Sequence, residues 1–206
     1  MKNKKSQKDR HYNWLMGADM YLAAAVILCD EMLRSYKSPI EALNSDQQID
    51  KRCGFTSANP DYEMLMPVIF NLKHGTELYL KALIMQIHKN LEYPQTHDLY
   101  QLLNMLIAET LNNKIQGIDM QILDQKVRTI INKYYYGLYA FAVSNNQPDI
   151  NNEAERYPEY RNPNCYKIDN LFKIEMNTLL QQVKKDCVTI QKYFREDILK
   201  KLPITN

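Results

Sequence analysis

The sequence predicts an all-α protein, an up-and-down bundle of about five helices, and three observations carry that prediction. Apolar residues recur at threes and fours through five long segments. Glycine is scarce, at 5 of 206 residues, so few positions invite a turn inside those segments. No stretch alternates convincingly as a strand, and no internal repeat marks a solenoid. The length suits a single domain with a sizeable core, over residues 13–203, behind a basic flexible tail at 1–12 that holds Lys2, Lys4, Lys5, Lys8 and Arg10.

The first helix is expected from about Trp14 to Tyr36, with Leu15, Ala18, Leu22, Ala25, Cys29 and Leu33 on one face. A polar connection over about 38–60 follows, broken by Pro39, Gly54 and Pro60. Asn59-Pro60-Asp61 is a start signal for the second helix, which runs to about His88. Pro67 lies inside it, so the helix either begins near Met66 or kinks there. Thr96 is the expected cap of a third helix from His97 to about Asn112, built on Leu99, Leu102, Leu103 and Leu106. A fourth helix, from Asp119 to about Ser144, carries Tyr134, Tyr135, Tyr136 and Tyr139. Those rings read as core or interface packing rather than as a platform for nucleobases, and this helix is the expected interface. Residues 145–169 form a second long connection, and a fifth helix from about Asp169 to Lys201 closes the bundle.

Composition narrows the function classes. A net charge of +2 gives no general pull toward nucleic acid or membrane, although the amino-terminal tail could touch phosphates. The longest apolar run, Tyr21 to Cys29, is far short of the ~20 residues that span a bilayer. The chain therefore reads as soluble and cytoplasmic, with no membrane partner. Cys29, Cys53, Cys165 and Cys187 are widely spaced, without a C-x-x-C pair, and read as free thiols. There is no P-loop, Gly-rich dinucleotide turn or G-x-S-x-G elbow, so the common nucleotide-hydrolysing and serine-nucleophile chemistries are excluded and no cofactor is called for.

The informative feature is a polar stripe within the second helix, His74, Glu77 and Lys81. These three residues fall within about 60° of one another at helical spacing, while the rest of the helix is apolar. Thr96-His97-Asp98-Leu99 follows, with His97 sixteen residues after Lys81. On the surface, Glu77 and Lys81 would be an ordinary i, i+4 pair of about 0.2–0.5 kcal/mol. In an apolar surround they need further partners, which His97 and Asp98 can supply. The stripe therefore reads as a structural network or a ligand-binding patch. A zinc or manganese site from His74, Glu77 and His97 is chemically allowed, as in a metal-dependent helical hydrolase, but this spacing arises often by chance and no metal is expected. Arg156, in the aromatic Arg156-Tyr157-Pro158 loop, could bind a phosphate or a carboxylate, including Glu77.

The run Leu72-Lys73-His74-Gly75-Thr76-Glu77-Leu78-Tyr79-Leu80-Lys81-Ala82-Leu83, followed by Thr96-His97-Asp98-Leu99-x-x-Leu102-Leu103, resembles the HEPN superfamily of small α-helical domains. There a helix with a Glu-x3-Lys-Ala-Leu pattern precedes a His-Asp-Leu turn that opens the next helix. The resemblance covers about Leu72 to Leu106. It implies a helical bundle that commonly dimerises, in prokaryotic toxin–antitoxin, phage-defence or RNA-processing systems, with an antitoxin or nucleotidyltransferase as a further partner.

Many members of that superfamily are metal-independent ribonucleases with Arg-x4-6-His on a late helix. Here the histidines are His11, His74, His88 and His97, and none follows an arginine at that spacing. The group that would handle the 2′-hydroxyl proton is thus missing from its usual place. The expectation is a binding or assembly protein, probed at His74, Glu77, Lys81, His97, Asp98 and Arg156. The alternative is a divergent ribonuclease acting on RNA, with Arg156 holding phosphate and His74 or His97 moving the proton.

Overall fold

A computed structural model describes residues 7–35, 60–88, 94–135, 142–143, 147–148 and 175–202. The described residues form an all-α bundle of five helices: α1 (Gln7–Ser35), α2 (Pro60–Ile87), α3 (Leu99–Asn112), α4 (Met120–Tyr135) and α5 (Met176–Lys192). A π-helical turn (Tyr193–Ile198) and a short 3-10 turn (Leu199–Lys201) extend α5. A two-residue antiparallel ladder pairs β1 (Ala142–Val143) with β2 (Gln147–Pro148).

Helix boundaries depart from the sequence expectations where local chemistry outweighs the apolar pattern. Helix α1 begins at Gln7, so residues 7–12 of the expected flexible tail are helical. Gln, Lys and Arg are good helix formers, and a run of them propagates a helix that the apolar face has nucleated. Helix α2 starts at Pro60 and continues through Pro67 rather than starting near Met66. Proline removes one backbone bond there, while buried Leu65, Val68 and Ile69 beside it hold the turn against its neighbours. Asp98, not Thr96, caps α3, accepting from the backbone N–H of Tyr100 at 2.8 Å and of Gln101 at 3.2 Å. Thr96 Oγ1 instead accepts from the N–H of Asp98 at 3.1 Å, which orients the cap. Helix α5 starts at Met176, seven residues later than expected, because the Glu175 carboxylate takes the free N–H groups of Asn177 and Thr178. Helix α4 is described as far as Tyr135, residues 136–141 lie outside the described residues, and β1 occupies ground that had been expected to be helical.

Contacts between named side chains give the direction of each helix. In α1 and α2, Trp14 lies beside Lys81 and Tyr21 beside Phe70 and His74, so the two are antiparallel. Helix α5 also opposes α1, through Lys184 with Asp30 and Arg195 with Asp19. Helix α4 opposes α5, through Lys133 with Asp186 and Lys126 with Tyr193. It likewise opposes α3, through Arg128 with Asn104 and Tyr100 with Asn132. Helices α2 and α3 run the same way, since Glu77 meets His97 and His88 meets Glu109. The chain therefore alternates direction except between α2 and α3, where it returns before starting α3. That return brings the start of α3 to the middle of α2, beside the polar stripe.

The core lies among all five helices, with Leu22, Leu72, Leu80, Leu83, Leu102, Leu123, Val183 and Phe194 buried. Each such side chain contributes about 1.5–3 kcal/mol on burial. Gly75 lets α1 and α2 approach closely, because a Cβ at that position would stand 2.8 Å from Leu22 Cγ and 3.1 Å from the carbonyl oxygen of Ala18. Tyr134 and Tyr135, expected in core or interface packing, are buried inside the bundle, where the Tyr134 hydroxyl donates to Asp186 at 2.9 Å and Lys73 Nζ sits 4.6 Å from the Tyr135 ring centre. Tyr136 and Tyr139 lie outside the described residues.

Candidate functional site

Four of the six sequence-predicted residues converge on one carboxylate. Glu77 is 1% exposed and Lys81 3%, both on the face of α2 turned toward the start of α3. Lys81 Nζ donates to Glu77 Oε1 at 2.9 Å, and His97 Nδ1 meets the same oxygen at 2.9 Å. His74 Nδ1 meets Oε2 at 3.3 Å. Rings hold the donors in place. His74 stacks on Phe70 with centroids 5.2 Å apart and takes the edge of Tyr21 at 4.5 Å, and Lys81 Nζ lies 5.6 Å from the Trp14 ring centre.

Asp98 does not join this group, because its carboxylate is spent on the first turn of α3. It fixes the backbone beside His97 and so aims that ring indirectly. Arg156 lies outside the described residues. Among the described residues no group of three or more His, Cys, Asp or Glu is placed to hold a metal ion. The reason is visible at Glu77, where the Lys81 ammonium already occupies the oxygen that a cation would share with His97.

Burial by itself pushes the Glu77 carboxyl up, but hydrogen bonds from His74 and Lys81 and the charge of Lys81 outweigh it and hold the group down at about 2. Glu77 is thus ionised across the working range and acts as an acceptor. A carboxyl depressed on folding adds stability that is complete above its ordinary value of 4.5 and is lost as pH falls toward 2. We expect acid to remove on the order of 3 kcal/mol through this group. Urea midpoints between pH 6 and pH 2.5, compared for the native chain and Glu77→Gln, should converge at low pH. A gap that stays constant would show that the carboxylate is not the acid-sensitive element.

Sequence reasoning missed a second polar cluster on the other side of α2. Tyr79 is fully buried, its hydroxyl donates to Asp19 Oδ1 of α1, and Arg195 binds Asp19 Oδ2. Arg195 Nε also donates to the Tyr79 oxygen at 3.2 Å, and Gln191 Nε2 donates to Asp19 Oδ1 at 2.9 Å. Burial raises the Asp19 carboxyl, yet the bonds from Arg195, Tyr79 and Gln191 hold it below its ordinary value. Burial and the Asp19 bond push the Tyr79 hydroxyl up, so it stays protonated and donates. A third cluster centres on buried Asp186, which accepts from Lys133 at 2.8 Å, Tyr134 at 2.9 Å and Gln182 at 3.0 Å. The one available signal was Asp19 itself, a carboxylate just ahead of the apolar run of α1; its partners lie too far along the chain to be paired by spacing.

In chemical terms the clusters around Asp19 and Asp186 are ties between helices. The Glu77 cluster differs in one respect: the His97 side chain is 42% exposed while its Nδ1 is held by a buried carboxylate. When the ring is neutral and Nδ1 carries the hydrogen, the basic lone pair resides on Nε2. Cys29 and Cys187 are buried free thiols, and burial pushes both up, Cys29 to about 12, so neither is poised as a nucleophile. No described helix is long and apolar enough to cross a membrane. No family profile, curated protein or solved structure matches this chain.

Proposed function

We propose that this chain is a HEPN-like binding or assembly protein of a prokaryotic defence or toxin–antitoxin system, working in the cytoplasm without standard ribonuclease activity. The observation that carries the reading is the occupancy of Glu77: both oxygens are engaged, by three donors drawn from α2 and the lead-in to α3. A carboxylate so committed fixes two helices and is not placed to take a proton from a substrate. The sequence supports the same reading, since no histidine follows residue 97 and none has an arginine at the ribonuclease spacing. A second copy of the chain, an antitoxin or a nucleotidyltransferase is the partner class that goes with it.

One observation favours a second reading, a divergent metal-independent ribonuclease. A half-exposed His97 oriented by an ionised carboxylate has the arrangement that fixes a general base in its reactive tautomer. Arg156 would be the phosphate-binding group in that reading. Labelled tRNA and mRNA incubated with the purified chain in a chelator separate the two. The assembly reading expects intact RNA. Cleavage that disappears in both His97→Ala and Arg156→Ala, with each variant still folded by circular dichroism, would replace it with the ribonuclease.

A further inference from the structure

Between Tyr12 and Ile27 the outer face of α1 carries no charge. Its exposed positions are Tyr12, Asn13, Met16, Met20, Ala23 and Ile27, with Met20 68% and Ile27 65% exposed. Asp19, the one acidic or basic residue in that stretch, turns aside to Arg195 and Gln191. The outer faces of α4 and α5 differ. Helix α4 exposes Gln121, Ile122, Gln125, Lys126, Thr129 and Asn132, and α5 exposes Val188 among Gln181, Lys185, Thr189 and Lys192. Each of these has one apolar residue in a polar setting, which is ordinary for a solvated helix. The α1 stripe runs for roughly 22 Å, and an uncharged apolar strip of that length marks an interaction surface.

The charge that adjoins the stripe selects its occupant. Residues 1–10 contain Lys2, Lys4, Lys5, Lys8 and Arg10 against a single acid, Asp9. At the other end Glu31 and Arg34 pair with each other and add no net charge. A strip that is apolar along its length and joined at one end to a strongly basic segment matches an anionic bilayer surface: headgroup phosphates attract the cations, and the acyl boundary accepts Met16, Met20 and Ile27. Tyr12, where the two meet, has the amphipathic ring that sits at headgroup level. A nucleic acid would use the same cations but leave Met20 and Ile27 in water. We infer that α1 lies along an anionic membrane surface through Tyr12, Met16, Met20 and Ile27, with the charge of residues 1–10 drawn to the lipid phosphates. Crossing a bilayer takes about 20 apolar residues, whereas lying on one takes only such a stripe beside basic charge. The opposite face of α1, with Leu15, Leu22 and Cys29, stays in the core, so the bundle docks without unfolding. The inference goes beyond the assembly reading and does not depend on it.

The test is cosedimentation of the full-length chain with sucrose-loaded vesicles, either phosphatidylcholine with an equal part of phosphatidylglycerol or phosphatidylcholine alone. The native chain should bind the anionic vesicles at low salt, and should bind them far less in about 0.5 M salt and far less when the lipid is neutral. Met20→Glu and Ile27→Glu should each weaken binding by about tenfold or more, since each puts a charge where the acyl boundary is met. Both positions are open in the free chain, so circular dichroism should be unchanged; Met20→Gln and Ile27→Gln give the same comparison should a charged variant lose helix. Lys4→Gln, Lys5→Gln and Lys8→Gln together should cost about a hundredfold, at roughly fivefold for each charge near the surface. Binding that ignores the Met20 and Ile27 substitutions overturns the proposal, because the basic segment would then act without the stripe. Absence of binding to the anionic vesicles also overturns it. In that case self-association lost in the same two variants would assign the stripe to a second copy, and a gel shift of labelled tRNA would assign the basic segment to RNA. RNA cleavage is measured without lipid, so the assembly reading stands or falls on its own assay.

Discussion

Replacing Glu77 with alanine should destabilise the chain by about 3–5 kcal/mol, the range for removing one partner of a buried ion pair. The three donors do not lose equally. His74 and His97 have side chains 20% and 42% exposed and can turn to water, but Lys81, at 4%, cannot. Most of the cost is therefore an ammonium left in an apolar surround of Trp14 and the α2–α3 core. At roughly 2–4 °C per kcal/mol for a chain of this size, the melting temperature should fall by about 10 °C. Thermal unfolding followed by circular dichroism measures it, and a shift under about 2 °C would mean that water reaches Lys81 freely. Glu77→Leu combined with Lys81→Leu should recover part of the loss, because replacing both members of a buried pair by apolar groups avoids the stranded charge.

The same accounting explains what could be read before the structure. The five apolar segments each became a helix because a helix buries whatever lies at its threes and fours, whichever neighbour does the burying. Helix ends were less legible, since they depend on single carboxylates: Asp98 displaced Thr96 as a cap, and Glu175 started α5 where the apolar pattern had suggested an earlier turn. The stripe of His74, Glu77 and Lys81 was legible because its members share one helix face. Its link to His97 followed from a short connection, whereas the geometry of that connection did not. Only contacts such as Glu77 with His97 and His88 with Glu109 show that α3 runs alongside α2 in the same direction. Asp19 with Arg195 joins residues 176 positions apart, and no spacing rule connects such a pair. Arg156 and its loop lie outside the described residues, so its relation to the stripe rests on the RNA assay.

Tyr79→Ala is expected to cost about 3–5 kcal/mol, comparable to Glu77→Ala but for the opposite physical reason. Tyr79 lies two residues from Glu77 and so faces the other side of α2, where its fully buried ring packs on Phe194 with centroids 5.2 Å apart. Truncation opens a cavity between α1, α2 and the π-helical turn after α5. The polar partners matter less. The Asp19 and Arg195 side chains are 27% and 33% exposed, so water replaces the hydroxyl once it is gone, and Tyr79→Phe should cost only about 1 kcal/mol. The ratio of the two variants in urea unfolding is the decisive quantity. Equal losses would place the energy in the hydrogen bonds to Asp19 and Arg195 rather than in the ring, and a double-mutant cycle of Tyr79→Phe with Asp19→Asn would then show coupling well above about 1 kcal/mol. A small loss for phenylalanine and a large one for alanine would mean that α2 is held on one side by charge, at Glu77, and on the other by packing, at Tyr79. On that basis, acid should loosen the contact with α3 before the contact with α1.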